Sequence, residues 1–287
     1  MGKIRIGISG WRYPPWRGVF YPAGLPQHRE LEYASREFPT IEVNGTFYSL
    51  QKPDSFERWY HDTPPDFVFS VKGPRYITHI KRLKDVEGPL ANFFASGIFN
   101  LREKLGPILW QFPPSFRYDA DKMKHFFQLL PGDTKQALRL ARRREPHMTG
   151  RVRLAIDATR NLRHAIEIRH ESFVDESFVQ LLREHNIALV VADTAGKWPY
   201  REDVTADFLY LRLHGDKELY ASGYTDEALT RWAQRIGAWK AGSQPDDAHV
   251  ISTRPTPARH PRDVYCYFDN DVKVKAPFDA RNLMTKL

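Results

Sequence analysis

Stretches in which apolar and polar residues alternate recur along the chain, and most precede a segment with apolar residues at helical spacing. Alternation is typical of a strand with one buried face, whereas apolar positions three and four apart are typical of a helix. In the clearest example, Ile166 and Ile168 fall on one phase, while Glu167 and Arg169 fall on the other. Residues 172–175 then match the Ser-x-x-Asp pattern of a helix start, which predicts a strand leading directly into a helix.

Eight units of this kind predict a parallel sheet closed into a (β/α)8 TIM barrel. One domain spanning residues 1–287 fits the usual size of that fold. An open, doubly wound sheet is the alternative, but no Gly-x-Gly-x-x-Gly turn follows the first strand. The expected strands are 3–9, 40–44, 67–72, 107–112, 165–169, 187–193, 207–215 and 264–270. The expected helices include 29–38, 55–61, 89–105, 134–144, 172–182, 229–239 and 277–287.

Two segments depart from the repeating pattern of strand and helix. A basic insertion at 131–163 is expected between strands 4 and 5, and a long mobile loop at 243–261 is expected before strand 8. The insertion contains nine lysines and arginines against three acidic residues. It is either a solvated helix face over 134–144 or an arm that contacts phosphates.

Strand phase separates apolar from polar side chains and predicts which residues point into the barrel. The phase expected to face the helices is apolar: Ile4, Ile6, Ile8, Ile41, Val43, Phe67, Phe69, Val71, Ile108, Trp110, Ile166, Ile168, Ala188, Val190, Leu209, Leu211 and Leu213. The axial phase ends in Ser9, Glu42, Asn44, Lys72, Gln111, Glu167, Arg169, Asp193, Arg212 and His214, with Asp269 or Asn270 on strand 8. Barrel enzymes hold their chemistry at these carboxyl ends, so a ligand pocket is expected there.

The residue types in this polar layer suit acid/base chemistry on an anionic substrate. Carboxylates and an imidazole can transfer protons near neutral pH, and arginine forks bind carboxylate or phosphate. The candidate catalytic residues are Glu42, Glu167, Asp193 and His214. The candidate substrate-binding residues are Trp11, Tyr13, Asn44, Lys72, His79, Gln111, Arg169, His170, Arg212 and Asn270.

Two alternatives remain open for the same residues. The layer is instead a salt-bridge network that closes the barrel mouth, or it is a metal site that uses Glu42, Glu167, Asp193 and His214. Neighbouring lysine and arginine side chains would repel a metal cluster, and no His-x-His spacing occurs at the strand ends. We therefore assign no metal ligand, and the sequence requires no cofactor, although a divalent metal is the alternative.

Aromatic residues in the loops after the strands suit sugars or stacked bases, or else pack as a lid over the pocket. They are Trp11, Tyr13, Trp16, Tyr21, Phe47, Tyr48, Tyr76, Phe112, Tyr220 and Tyr224.

Composition narrows the class of protein. The formal charge of +8 favours anionic partners. Cys266 is the single cysteine, which excludes an internal disulfide and a thiolate metal cluster. The sequence contains no apolar run long enough to span a membrane and begins with no secretory signal, so a cytoplasmic protein without membrane contact is expected. The oligomeric state cannot be predicted.

Several segments together resemble the YecE-like family, TIM-barrel proteins classed as domain of unknown function 72. The matching segments are 9–11, 20–22, 42–44, 46–48, 69–72, 77–79, 105–107, 111–114, 167–170, 192–193, 210–215 and 267–268 with Asn270. This resemblance covers nearly the whole chain in order and implies a TIM barrel. It does not indicate which activity the protein has. Gly45, Asp279, the run of three arginines in the insertion and the loop at 243–261 depart from the family pattern.

Three different functions are compatible with these sequence observations. The first is a metal-independent enzyme that uses acid/base chemistry on an anionic substrate containing phosphate or sugar. The second is a protein that binds or processes nucleic acid, with a metal in some forms, and it depends on the basic stretch 131–163. The third is a non-enzymatic protein that binds a ligand in the same pocket.

Overall fold

The computed structural model describes residues 2–254 and 260–287, which form a closed parallel barrel. Neighbouring strands pair in sequence order, and the eighth strand closes the ring by pairing with the first. The strands are β1 (Ile4–Ser9), β2 (Thr40–Val43), β3 (Val68–Lys72), β4 (Leu105–Gln111), β5 (His164–Glu167), β6 (Ala188–Asp193), β7 (Phe208–Leu213) and β8 (Asp263–Phe268). The predicted (β/α)8 barrel is thus confirmed.

Helices surround the barrel and connect its strands. They are α1 (Glu30–Glu37), α2 (Gly45–Tyr48), α3 (Pro53–Asp62), α4 (Glu87–Ala95), α5 (Ala120–Leu129), α6 (Thr134–Ala141), α7 (Glu176–Glu184), α8 (Asp226–Lys240) and α9 (Ala276–Met284). Short 3-10 turns and one π-helical turn, Tyr76–Ile80, complete the connections.

The single helix expected over 89–105 is wrong, because α4 ends at Ala95 and a 3-10 segment, Ile98–Lys104, follows. Gly97 separates them with a φ of 116°, a conformation that favours glycine. A Cβ atom on Gly97 would lie 2.5 Å from the Cα atom of Pro53, so close packing also requires glycine here.

The predicted helix start at Ser172 is also wrong. Residues Glu171–Phe173 form a 3-10 turn, and α7 begins later, with Asp175 as its N-cap. Asp175 accepts the hydrogen bond of the Ser177 amide, whereas Ser172 Oγ accepts that of the Tyr118 amide. The Ser-x-x-Asp pattern therefore lies one turn ahead of the true helix.

Two apolar clusters lie on opposite sides of the sheet. The outer cluster joins the strands to the helices and includes Ile8, Phe69 and Leu211, as the strand phases predict. The inner cluster fills the barrel and consists of Val68, Leu109, Ala165, Ala188, Val190, Ala192, Ala206, Phe208, Tyr210, Tyr265 and Tyr267. The phase predicted for β6 is therefore wrong, since its alanines and Val190 point inward while Leu189 and Val191 point outward.

Tyrosine hydroxyls in the barrel interior are hydrogen-bonded rather than solvated. Tyr267 Oη lies 2.8 Å from Thr40 Oγ1, and Tyr210 Oη lies 2.7 Å from Ser70 Oγ. Both tyrosines are fully buried, so the interior is a packed core below a polar layer at the carboxyl ends of the strands.

The two irregular segments lie between strands as expected. The insertion at 131–163 contains α6, and the exposed side chains of Arg139, Arg142 and Arg143 lie on its surface. In the loop at 243–261, the amides of Ile251 and Ser252 bond to Asp203. Residues 255–259 of this loop lie outside the described part of the chain. Across the described ranges, no helix combines the length and apolar character needed to cross a membrane.

Candidate active site at the barrel mouth

Six polar side chains converge at the carboxyl ends of β1, β2, β5, β7 and β8. We call them the mouth cluster: Ser9, Glu42, Glu167, Arg212, His214 and Asp269. Each belongs to the inward phase of its strand or continues that phase by one residue. On β5, β7 and β8 the inward positions just below Glu167, Arg212 and Asp269 are Ala165, Tyr210 and Tyr267 of the inner core.

Arg212 lies at the centre of the mouth cluster and is fully buried. Its Nε and Nη2 atoms donate to the two oxygens of Glu42, at 3.0 and 2.8 Å. Nη1 donates to Glu167 at 2.7 Å, and Nη2 donates to Asp269 at 2.8 Å. Nη1 also contacts Nε2 of His214 at 3.2 Å. The five N–H groups of a guanidinium are thereby occupied, so no donor of Arg212 remains for a substrate.

Glu167 and Asp269 of the mouth cluster stay ionised. Burial alone would raise the pKa of Glu167, but Arg169 and Arg212 outweigh it and hold this pKa well below its usual range. Burial opposes Arg212 and His214 in the same way at Asp269, whose pKa is also lowered. Glu167 therefore cannot donate a proton near neutral pH in this arrangement.

His214 is neutral and fixed in one tautomer. Burial and the nearby Arg212 lower its pKa. Because the guanidinium donates to Nε2, the imidazole proton belongs on Nδ1, which lies 3.0 Å from Asp269 Oδ2. Tyr220 covers the ring in an edge-on contact, with centroids 5.3 Å apart.

Two hydroxyl groups share the oxygens of Glu42 with Arg212. Ser9 Oγ donates a short bond to one carboxylate oxygen, and Tyr210 Oη donates to the other at 2.6 Å. Asn44 Nδ2 donates to Ser9 Oγ at 3.1 Å, and Tyr13 Oη donates to the Ser9 carbonyl at 2.6 Å. Tyr13 and Asn44 therefore support the mouth cluster, although both also line a pocket beside it.

Above the mouth cluster lie three basic side chains that we call the rim donors: Lys72, His79 and Arg169. Lys72 and His79 flank the ring of Phe47, with Lys72 Nζ 4.2 Å from its centroid and the His79 ring centroid 5.1 Å away. Burial, and then the charge of Lys72, lower the pKa of His79 to about 4. His79 is therefore neutral at pH 7 and can donate or accept one hydrogen bond.

Arg169 is held flat at the edge of the mouth. Its Nε donates to Glu167 at 2.8 Å, and its guanidinium lies 3.8 Å from the ring centroid of Trp198. Gln111 Nε2 donates to the same oxygen of Glu167 at 2.9 Å. Within the part of the chain that the structure describes, the outer N–H groups of Arg169 make one long contact, 3.4 Å to Tyr220 Oη, so this fork is available to an anion.

Three predicted site residues lie away from the mouth cluster. Asp193 points outward from β6 and accepts a bond from Tyr224 Oη at 3.0 Å, because the phase of β6 is opposite to the one predicted. His170 accepts the amide of Ser172 at 3.0 Å and caps the turn after β5. Asn270 bonds to Asp279 at 2.8 Å, and Asp269 takes its predicted place at the mouth.

Trp11 lies in a pocket beside the mouth. Its ring packs edge-on against Trp59, with centroids 5.4 Å apart. The pocket has a volume of about 250 Å³ and is lined in part by Tyr13, Asn44 and Tyr48. Its aromatic walls suit the flat face of a sugar or base.

A protein family model matches nearly the whole length of the chain. The model for "Protein of unknown function DUF72" matches residues 5–287. The chain belongs to the DUF72 family. UPF0759 protein YecE of Escherichia coli K12 is 26% identical over 244 residues, which cover 84% of each chain. UPF0759 protein YunF of Bacillus subtilis is 30% identical over 118 residues, covering 39% of this chain and 41% of YunF.

Solved DUF72 structures share the barrel. The crystal structure of TM1631 from Thermotoga maritima superposes with a TM-score of 0.72 at 26% identity, covering 99% of this chain and 98% of TM1631. EF0366 from Enterococcus faecalis gives a TM-score of 0.70 at 16% identity, covering 99% and 95%, and shows the fold alone. These DUF72 relatives confirm the predicted family without assigning an activity.

The arrangement of the candidate ligand side chains does not favour a metal site in this DUF72 chain. Within residues 2–254 and 260–287, no three His, Cys, Asp or Glu side chains are arranged to hold a metal ion. Of the four side chains proposed as ligands, Glu42, Glu167 and His214 converge on Arg212 instead, and Asp193 bonds to Tyr224 away from them. Its guanidinium occupies the place that a cation would need.

Sequence reasoning missed some residues that shape this DUF72 site. Tyr210 shares the inward phase with Arg212, so strand phase could have identified it. Trp198 lies in the loop after β6, and no local pattern links it to Arg169. Phe47 was expected at the mouth among other aromatics, but its position between Lys72 and His79 depends on how α2 folds back over β3.

Proposed function

We propose that this DUF72 protein is an enzyme that binds a small anionic substrate at the rim donors and transforms it by acid/base chemistry. The observation that supports this proposal is the buried amine of Lys72, which lacks a hydrogen-bonding or ion-pairing partner among the described residues. Among the described residues, none forms a hydrogen bond or ion pair with Lys72 Nζ, although Lys72 is only 7% exposed. A buried cation without a partner costs stability, so a functional role is the reasonable explanation.

The free donors favour a phosphate or carboxylate group. Arg212 is saturated by its carboxylates, so Lys72 and Arg169 supply the binding charge. A planar fork and a compact ammonium together can bind two faces of one anion. A phosphorylated sugar would place its ring against the aromatic pocket at Trp11.

We assign proton transfer to Lys72 among the rim donors rather than to the buried carboxylates. Burial and Arg212 lower the pKa of Lys72 to about 8, and a general base works best with a pKa near the operating pH. Glu42, Glu167 and His214 are fully buried beneath it. We assign them the role of positioning residues that fix Arg169, Arg212 and Asp269.

A thermal-shift screen tests binding. We expect one class among inorganic phosphate, sulfate, sugar phosphates, nucleotides and small carboxylates to raise the melting temperature. A ligand at one hundred times its Kd adds about 2.7 kcal/mol to the free energy of unfolding. Arg169→Met should abolish the shift, and the exposed Arg143→Met should retain it. A shift that survives in Arg169→Met, or a flat response throughout, contradicts the proposal.

Turnover separates an enzyme from a ligand-binding protein. Proton and phosphorus NMR of the stabilising ligand should show its slow conversion by the wild-type protein and none by Lys72→Met. Binding without any conversion would instead support the non-enzymatic alternative.

Nucleic-acid binding is a second candidate because the insertion presents free positive charge. Lys135, Arg139, Arg142, Arg151 and Arg153 are exposed, and no carboxylate of the described chain pairs with them. Fluorescence anisotropy with a labelled duplex should then show affinity that falls steeply with salt. Replacing Lys135, Arg139 and Arg142 with glutamine should flatten that salt dependence. Absent or salt-independent binding removes this candidate.

A further inference from the structure

Among the described residues, a second buried lysine, Lys104 just before β4, makes the hydrogen bonds that Lys72 lacks. Lys104 is 3% exposed and its Nζ donates to Tyr60 O, Thr63 O and Thr63 Oγ1, at 2.6, 2.8 and 3.1 Å. An ammonium has three N–H groups, so Lys104 is fully satisfied. Both lysines lie over an aromatic ring, with Nζ 4.5 Å from the centroid of Tyr60 and 4.2 Å from that of Phe47. Hydrogen bonds are therefore one clear difference between the two amines.

The surroundings of Lys72 suit an uncharged amine. Its Nζ makes no hydrogen bond within the described residues, yet it is not one of the completely sealed polar atoms, so it remains reachable from the mouth. A desolvated lysine beside another cation is the usual form of an activated amine nucleophile. Here Phe47 supplies the apolar wall and Arg212 supplies the neighbouring charge.

The charge state follows from this environment. With a pKa of about 8, roughly one Lys72 side chain in ten is uncharged at pH 7. An exposed lysine with the ordinary pKa of 10.5 would hold far less free amine at that pH. Lys72 therefore presents a reactive lone pair under neutral conditions.

We propose that Lys72 Nζ is a nucleophile that forms an imine with an aldehyde or ketone substrate bearing an anionic group. This step rests on the proposed function, because the anionic group would be bound by Arg169. Glu167 on β5 positions Arg169, and β4 separates β5 from β3, so amine and fork face one mouth from nearby strands. An α-oxo acid or a carbonyl sugar phosphate has both groups.

The chemistry balances without a redox partner. The nitrogen lone pair attacks the carbonyl carbon, a C–N bond forms, and the carbonyl oxygen is protonated to give a carbinolamine. The C–O bond then breaks and one water leaves, which carries one proton from the amine and one taken up from solvent. The nitrogen keeps its second proton, so the product is the protonated imine. The protonated imine withdraws electrons from the neighbouring carbon, so that a base can remove the proton from that carbon. In this step Lys72 acts as the nucleophile, and a base other than Lys72 accepts the proton.

Borohydride trapping tests this step with the full chain. Glyoxylate is the probe, because it is the smallest aldehyde with a carboxylate, and acetaldehyde is its uncharged match. After sodium borohydride reduction, peptide mass mapping should locate one secondary-amine adduct at Lys72. Its labelling rate should rise with a midpoint near pH 8, the pKa of this amine. The Lys104 peptide of the same digest should stay unlabelled.

Variants and binding data distinguish the possible failures. Lys72→Arg should remove the adduct, and Arg169→Met should slow glyoxylate labelling at least tenfold while leaving acetaldehyde labelling unchanged. No adduct at Lys72, or labelling that follows only surface lysines, overturns the imine. If an anion still raises the melting temperature through Arg169 in that case, and the protein still converts it, the proposed function stands without the imine. If neither labelling nor an anion-dependent shift occurs, both proposals are wrong.

Discussion

Arg212 is the residue on which the charges of the mouth depend. It joins Glu42, Glu167 and Asp269, and two of these carboxylates are completely buried. Removing one partner from a buried ion network leaves its opposite charges unpaired. The carboxylates would then have to take up protons or draw water into the barrel.

We predict that Arg212→Met lowers the free energy of unfolding by about 3–5 kcal/mol, the usual cost of breaking a buried ion pair. Urea denaturation followed by circular dichroism measures it. Arg143→Met is the matched control, because Arg143 forms an exposed ion pair with Glu87 and should change stability by less than about 1 kcal/mol. Equal effects of the two substitutions on the free energy of unfolding would show that the ion pairs of Arg212 do not stabilise the fold.

Replacing Lys72 should have the opposite effect on the free energy of unfolding at neutral pH. Its folded-state pKa of about 8 lies below the ordinary value of 10.5, so the folded protein disfavours the ammonium. Between these pH values the unfolded chain holds a proton that the folded chain has lost, and stability rises with pH. Below pH 8 that stability is absent.

We therefore predict that Lys72→Met is more stable than wild type at pH 7, by roughly 1–3 kcal/mol. The difference should shrink as pH rises from 8 to 10.5, because the wild-type amine becomes neutral. Urea titrations at several pH values measure this difference. Lys104→Met should instead destabilise the protein at pH 7, since it removes three hydrogen bonds of a buried amine. A pH-independent difference for Lys72→Met would refute the assigned charge state.

At the scale of elements, the start of α7 can be tested directly. We predict that Asp175→Ala lowers the free energy of unfolding by about 1 kcal/mol, because the side chain caps the helix. Asp121→Ala, in the first turn of α5, is the control, since Asp119 is the cap of that helix and Asp121 is exposed. Thermal or urea unfolding compares them. No loss in Asp175→Ala would place the helix start elsewhere.

The elements also show how far the sequence could be interpreted. Strand phase located Glu42, Lys72, Glu167, Arg169, Arg212 and His214, because an apolar outer face contrasts with a polar inner end. It failed at β6, where Ala188 and Val190 face inward and Leu189 and Val191 face outward. Both faces of that strand are apolar, so periodicity cannot orient it, and Asp193 was assigned to the wrong side.

Contacts between loops could not be predicted from the sequence for a different reason. The stacking of Arg169 on Trp198 joins two loops, and the edge-on contact between His214 and Tyr220 depends on a turn. That turn needs Gly215, whose φ is 124° and where a Cβ would lie 2.3 Å from the Glu218 carbonyl oxygen. Such approaches are set by tertiary packing, which a local pattern does not record.

At the scale of the whole molecule, the barrel closes where its two ends meet. β1 pairs with β8, and α9 packs its buried Ala280 and Leu283 into the outer core beside them. Arg281 on α9 also reaches Glu37 at 2.6 Å. The last helix therefore seals the junction between the first strand and the last.

We predict that the chain unfolds as one cooperative domain and that truncation after Lys275 abolishes this transition. Loss of α9 exposes the seam between β1 and β8, so the remaining strands lose their closure. Far-ultraviolet and near-ultraviolet circular dichroism should report coincident urea transitions for the full chain. The truncated chain should show no near-ultraviolet signal. Two separate transitions in the full chain would indicate more than one domain.

The tyrosines inside the barrel give this protein an optical reporter of its own integrity. Burial raises the pKa of Tyr210 and Tyr267 well above the ordinary value, so neither forms phenolate while the wall is intact. The ultraviolet absorbance of phenolate in an alkaline titration should therefore lag behind that of free tyrosine and then jump when the wall breaks. Opening of the barrel can be followed in this way without a dye, a label or an added chromophore.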